Sequence, residues 1–195
     1  MLDSIRYYLG LLTVATTPWA ILYWYLIHPF VGLWRRVGPT VAYIALGTLG
    51  VVMAYATWAA RDALMVTEYG TGPVLQALAA ACYLGAITIE IRCRKYLSFR
   101  ILVGLPELSP QPGASKLLTE GIYGKMRHPR YVGFMLGLLA ASLFVNYLAM
   151  WVVAVATVPG VYGLTMLEER ELRQRFGAAY TEYSQKVPRF IPRFG

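Results

Sequence analysis

Residues 129–169 read PRYVGFMLGLLAASLFVNYLAMWVVAVATVPGVYGLTMLEE. Two apolar runs, 131–145 and 147–167, flank Asn146, and a carboxylate pair, Glu168-Glu169, closes the second. A run of about 20 apolar residues crosses a hydrocarbon core of about 30 Å. The second run has that length, while the first spans only about 23 Å at about 1.5 Å per residue. Pro129 suits the first turn of a helix, where its missing N–H costs nothing. Val145-Asn146-Tyr147 reads as the turn between two helices. Pro159-Gly160 predicts a kink, and Gly177 reads as a helix C-cap. The segment is a helical hairpin with polar groups at one end.

The rest of the chain is of the same kind. Further apolar spans fall at 8–27, 41–60 and 73–91. Of the 195 residues 57% are hydrophobic and 14% charged, and the mean hydropathy is +0.49. Soluble domains carry roughly a quarter charged residues, so the expected fold is all-α: a polytopic membrane protein with about five transmembrane helices. We divide a single membrane domain, 1–195, into a three-helix scaffold (1–92), a loop (93–130), and a C-terminal hairpin with its tail (131–195). Ala45, Gly47, Gly50, Ala54 and Ala77 to Ala81 bring small residues to the second and third spans, which permits close helix approach. No fixed repeat or inverted pair is visible, which counts against a transporter.

Only Arg6 and Arg61 fall on one side of these spans; every other Lys and Arg falls on the other. The positive-inside rule then places the N-terminus outside, and the loop and C-terminus in the cytosol. The net charge of +8 marks orientation and contact with anionic lipid rather than nucleic-acid binding. Cys82 and Cys93 would lie about 16 Å apart on one helix, too far to bridge. His28 and His128 give no metal spacing with them. The aromatic bulk of Trp19, Tyr23, Trp24 and Tyr25 is unlike a cleaved signal peptide. Gly70-Thr71-Gly72 reads as a turn. The loop is turn-rich from Pro106 to Ser115, and Ile101, Leu102, Val103 and Leu105 suggest that part of it folds back on the membrane face.

Two polar clusters return to the same level. Arg127-His128-Pro129 reads either as a helix entrance gripping lipid phosphates, or as a site where helix amides, Arg127 and His128 hold an anionic group. Tyr123 and Tyr131 would add aromatic faces that attract cations. Glu169 and Arg173, four apart, read as a surface ion pair worth a few tenths of a kcal/mol. Glu168 follows Met166-Leu167 at the membrane boundary, where a carboxylate without partners is costly and signals function.

Gly121-x-Tyr123-x3-Arg127-His128-Pro129-x-Tyr131-x-Gly133, followed by Glu168-Glu169-x2-Leu172-x3-Phe176-Gly177-x2-Tyr180-x2-Tyr183, resembles the isoprenylcysteine carboxyl methyltransferase and phospholipid methyltransferase superfamily. The resemblance covers residues 117–192. It implies a membrane enzyme using S-adenosylmethionine, with the cofactor in a cytosolic pocket closed by the hairpin and the C-terminal segment. Carried over, Tyr123, Arg127, His128, Pro129, Tyr131 and Gly133 would line that pocket, and Glu168 and Glu169 would bind polar groups of the cofactor. Arg173 would steer an anionic acceptor beside Glu169 as the catalytic pair. The acceptor, a prenylcysteine carboxylate, a lipid amine or a small thiol, would enter from the bilayer. A G-x-G element associated with phospholipid N-methyltransferases has no match on the cytosolic side. Two alternatives stay open. One is an NADPH-dependent sterol-reductase-like enzyme, whose hairpin is similar but carries a carboxylate soon after the Tyr, where Val132-Gly133-Phe134 stands here. The other is a non-enzymatic lipid-binding protein.

Overall fold

The computed structural model describes residues 1–97 and 117–192. The turn-rich and apolar parts of the loop, Ile101 to Ser115, lie outside the described residues. The described residues fold as α1 (Leu2–Ile27), a 3-10 turn (His28–Phe30), α2 (Val31–Val37), α3 (Pro39–Ala59), α4 (Arg61–Leu64), α5 (Pro73–Arg94), a 3-10 turn (Gly121–Gly124), α6 (Pro129–Val145), α7 (Leu148–Phe176) and α8 (Ala178–Lys186). Proline occupies the first turn of α3, α5 and α6, where no intrahelical donor is lost. The helix α7 continues through Pro159.

Four segments are long and apolar enough to cross a membrane: Leu2–Val37, Pro39–Ala59, Pro73–Arg94 and Leu148–Phe176. Their outward residues are large and apolar (Ile44, Val51 and Tyr55 on α3; Val74, Leu78 and Leu84 on α5), as a helix facing lipid requires. The chain is a polytopic membrane protein. The sequence's fifth span is α6, 17 residues long, or about 26 Å.

Helix α5 packs most extensively on α6, and α1 runs against α3, α6 and α7. Small residues make the first of these contacts possible. A Cβ on Gly133 would sit 3.2 Å from Ile89 Cγ2 and 3.6 Å from the Ala86 carbonyl. On α3 the small residues serve less evenly: Gly50 faces the Trp19 indole, whereas Gly47 has open space beside it.

One end of the bundle is closed around the hairpin turn. Asn146 is the only non-glycine described residue with positive φ, at 53°. Its amide donates to the Gly70 carbonyl at 2.6 Å, and Trp151 Nε1 donates to its Oδ1 at 2.9 Å. Arg6, buried, donates to the carbonyls of Phe144 (3.2 Å) and Val145 (2.7 Å) and pairs with Glu68 at 2.5 Å. Those carbonyls are orphan acceptors at the C-terminus of α6, where a cation is favoured. Leu11, Val14, Met65, Leu138, Val145, Tyr147 and Met150 form the core beneath. The opposite end gathers the ends of α1, α5 and α7 and the start of α6, and holds both polar clusters.

Candidate active site

The Arg-His-Pro segment is held by the chain's tail. A 3-10 turn, Gly121–Gly124, leads into it, with Gly121 at φ +60° packed under the Tyr96 ring. His128 is the N-cap of α6. The Arg127 amide donates to the Pro188 carbonyl at 2.8 Å, and the His128 amide to the Arg189 carbonyl at 3.0 Å. The apolar tail is thus docked along the helix entrance, with the Phe190 ring 6.1 Å from that of His128.

Glu169 is the centre of this docking. It is 1% exposed. Its Oε1 accepts from Arg127 Nε (3.1 Å) and Arg189 Nε (2.9 Å) and lies 3.0 Å from His128 Nε2. Its Oε2 accepts from Arg189 Nη2 (2.9 Å) and Arg173 Nη2 (3.2 Å). A buried carboxylate costs several kcal/mol unless charged donors surround it, and here donors come from the α6 entrance, α7 itself and the tail. The surface ion pair Glu169–Arg173 is therefore one contact of a buried network. Arg127 also donates to the Ser184 and Val187 carbonyls, so its guanidinium is spent inside the protein.

Glu168 faces elsewhere. It is half-buried, with Oε2 3.5 Å from His128 Nδ1, and it lines two cavities. The tail-side cavity, about 360 Å³, lies between the α5 end, the α6 entrance, α7 and α8, with Tyr96, Tyr123, Tyr180 and Tyr183 on its walls. The α1-side cavity, about 480 Å³, lies among α1, α5, α6 and α7, with Ile21, Trp24, Ala86 and Phe134 on its walls. Both volumes fall in the range of small-molecule sites, about 300–1,000 Å³. Arg130, Tyr131, Glu168, Leu172 and Arg175 line both and form the wall between them. Positions 168, 172 and 175 follow helical spacing and so share one face of α7. A third, apolar groove of about 490 Å³ between α6 and α7 reaches Tyr131 from the lipid-facing side.

Electrostatics follow from this packing. Burial alone would lower the His128 pKa, but its hydrogen bonds to Glu168 and Glu169 and their charges outweigh burial and raise it. Burial pushes the Tyr183 hydroxyl up to about 12, and it donates to the Tyr123 carbonyl at 2.6 Å. Among the described residues the buried Tyr180 hydroxyl has no hydrogen-bond partner, and the Tyr123 hydroxyl faces the Cys93 thiol; both tyrosines line the tail-side cavity.

Of the residues singled out in the sequence, Tyr123, Arg127, His128, Pro129, Tyr131 and Glu168 come together on the tail-side cavity. Gly133 lines the α1-side cavity at the α5–α6 contact. Glu169 lies behind the walls of both. Arg173 is 52% exposed and is absent from both linings. The sequence reading gave Arg130 only lipid phosphates to hold, and it left out Arg175 and the α1 side chains. Arg175 was recoverable from the spacing 168-172-175; nothing local pointed to α1.

A model of the phospholipid methyltransferase family matches residues 74–179. This chain belongs to that family. It is 37% identical over 78 residues to protein-S-isoprenylcysteine O-methyltransferase B of Arabidopsis thaliana, covering 40% of each chain. It is 34% identical over 77 residues to protein-S-isoprenylcysteine O-methyltransferase of Schizosaccharomyces pombe, covering 39% of this chain and 33% of that one. Methanethiol S-methyltransferase 2 of Bradyrhizobium diazoefficiens is 33% identical over 76 residues, 38% of this chain and 28% of that one. The matched region thus spans two-fifths or less of these curated relatives. No solved structure gives a significant match. The phospholipid methyltransferase match opens inside α5 and holds the cavity wall, but it leaves out α1, which walls the α1-side cavity.

Proposed function

We propose that this protein is an S-adenosylmethionine-dependent methyltransferase acting on a lipophilic acceptor. The observation that carries the reading is the wall Arg130–Tyr131–Glu168–Leu172–Arg175, shared by a tyrosine-lined cavity and a second cavity that opens among α1, α5 and α6. The methyl donor takes the tail-side cavity and the acceptor the α1-side cavity.

The residues of the tail-side cavity fit that donor. Glu168 and the aromatic faces of Tyr131 and Tyr180 suit a sulfonium and an ammonium. Arg130 suits the methionyl carboxylate; among the described residues it has no carboxylate within ion-pairing distance. Arg127, expected for that part, is committed to Glu169 and the tail. The Tyr180 hydroxyl, without a hydrogen-bond partner among the described residues, would gain one from a polar ligand. When bound, S-adenosylmethionine supplies an electrophilic methyl group on a sulfonium leaving group. The protein aligns nucleophile and methyl and keeps water out, and alignment alone is worth up to about 7–11 kcal/mol. Names of relatives such as isoprenylcysteine O-methyltransferase and methanethiol S-methyltransferase support an acceptor with an apolar part. The skew of Lys and Arg supports a cytosolic site.

Thermal unfolding in detergent with each cofactor tests the reading. S-adenosylmethionine at about 100 times its Kd adds about 2.7 kcal/mol, a measurable rise in Tm, and Glu168→Gln abolishes the rise. Stabilisation by NADPH but not by S-adenosylmethionine would overturn the assignment in favour of a reductase; a flat response to both would favour a lipid-binding protein.

A further inference from the structure

Arg130, Tyr131, Glu168, Leu172 and Arg175 border both cavities, so a group passing from one cavity to the other crosses this wall. Methyl transfer needs the reacting atoms in line at about 3–3.5 Å, which requires a place where no fixed side chain stands between them. Four members of the wall are polar. The guanidiniums of Arg130 and Arg175 repel a sulfonium. Glu168 has its Oε2 3.5 Å from His128 Nδ1, and the Tyr131 ring leans on the same imidazole with centroids 5.8 Å apart. Leu172 is the apolar member. It is half-buried and stands one turn beyond Glu168 on the same face of α7. With a cavity on either side and no polar atom to anchor it, this side chain is the place where the wall can give.

We propose that the two cavities communicate past Leu172, and that this side chain frames the window through which the methyl group passes. Its size then decides whether donor and acceptor meet. The proposal rests on the methyltransferase reading above and adds to it how the two substrates lie. The donor sulfur sits at the window beside Glu168, whose charge favours the sulfonium, and the nucleoside points toward Tyr96, Tyr123 and Tyr183, which border the tail-side cavity alone. Across the window, Ile21, Ile87, Phe134 and Leu164 border the α1-side cavity alone and receive the apolar part of the acceptor. In the step, an acceptor lone pair forms the bond to the methyl carbon as the carbon–sulfur bond breaks, and that bonding pair stays on the donor sulfur. Leu172 gives no proton and no charge. It is a positioning residue: it sets the line of approach and keeps water out of the passage.

Two unreactive thioethers test the window without any methyl transfer. One is 5′-methylthioadenosine, which the tail-side cavity can hold alone. The other is 5′-decylthioadenosine, whose chain reaches the α1-side cavity by passing Leu172. Each is titrated by thermal unfolding of the full-length protein in detergent. The wild type should bind the decyl compound at least about 10-fold more tightly, the worth of one well-packed methylene. Leu172→Phe should bind the methyl compound as the wild type does and lose the gain from the chain, whereas Leu172→Ala should keep it. Ile87→Trp, at a 37% exposed position that borders only the α1-side cavity, should lose the gain from the far side. A purely structural Leu172 would shift both compounds together. With tritiated S-adenosylmethionine and membranes of expressing cells, Leu172→Phe should also cut label in the organic extract about 10²-fold, with the donor's KM little changed. Equal gains in wild type and Leu172→Phe overturn the window, as does a wild type without any gain. A gain that survives Ile87→Trp overturns it too, because the chain then lies in the micelle or the α6–α7 groove. The methyltransferase reading fails separately, if S-adenosylmethionine does not stabilise the wild type.

Discussion

Glu168 and Glu169 are neighbours in sequence with opposite work. Successive residues on a helix point about 100° apart, since a turn takes about 3.6 residues. Glu169 consequently turns into the arginines of the α6 entrance and the tail, while Glu168 turns toward the cavity wall. A position at the membrane boundary marked Glu168 as costly, and spacing made Glu169 a surface ion pair; only the return of residues 187–190 shows that Glu169 is the one consumed as structure. Glu169→Gln removes the counter-charge from Arg127 and Arg189, which are 11% and 23% exposed. Stranding buried charge costs about 3–5 kcal/mol, so denaturant unfolding should show a loss of that size and limited proteolysis should cut the tail first. His128 gives this network a pH dependence. Its pKa is raised in the folded protein, so the native state binds more protons than the unfolded state and stability falls as pH rises. That contribution is complete below the unfolded value of about 6.5 and is lost as pH climbs through the folded value. Denaturant midpoints taken upward from about pH 6 should decline in the wild type and decline less in His128→Gln; equal slopes would show that this imidazole does not titrate in the window.

At the scale of elements, what was legible was local. Apolar run length gave the positions of α1, α3, α5, α6 and α7, and proline and Asn146 placed the start and end of α6. The short helices α2 and α4 were not legible, because four to seven residues carry too little periodicity to separate from a turn. Pairing was less legible still. The small residues of the second and third spans permitted close approach without naming a partner; the most extensive packing is α5 on α6, through Ala86, Gly133 and Gly137. Small residues permit approach, but they do not say to which helix. Tyr25 illustrates the same point. Its hydroxyl donates to the Gly160 carbonyl at 3.0 Å, across from a glycine, Gly163, whose Cβ would overlap that hydroxyl. This contact joins α1 to α7, and no spacing in either helix announces it. Much of the tail-side cavity comes from two segments whose spacing the sequence displays, 123–131 and 168–183; the α1-side cavity is assembled from α1, α5, α6 and α7 and had to be seen.

For the whole molecule, the decisive asymmetry is electrostatic. At the end away from the cavities, Arg6 is buried as the cap of α6 and Arg61 pairs with Asp62 and stacks on Trp58. Both basic residues of that end are thus used by the fold, while the cavity end keeps its arginines around Glu169 and along the shared wall. Positive charge resists translocation, so we propose that the cavity end lies in the cytosol, the compartment from which a water-soluble methyl donor would enter the tail-side cavity. Asp62 and Lys186 report the two ends, with side chains 82% and 69% exposed. In a chain carrying Cys82→Ser, with Cys93 left in place because it is 1% exposed, each is replaced singly, Asp62→Cys or Lys186→Cys. A membrane-impermeant maleimide applied to intact cells should label the Asp62 variant and spare the Lys186 variant until the membrane is opened by detergent. The reverse pattern would put the methyl-donor cavity on the outer face, where the positive-inside argument and the proposed donor would fail together.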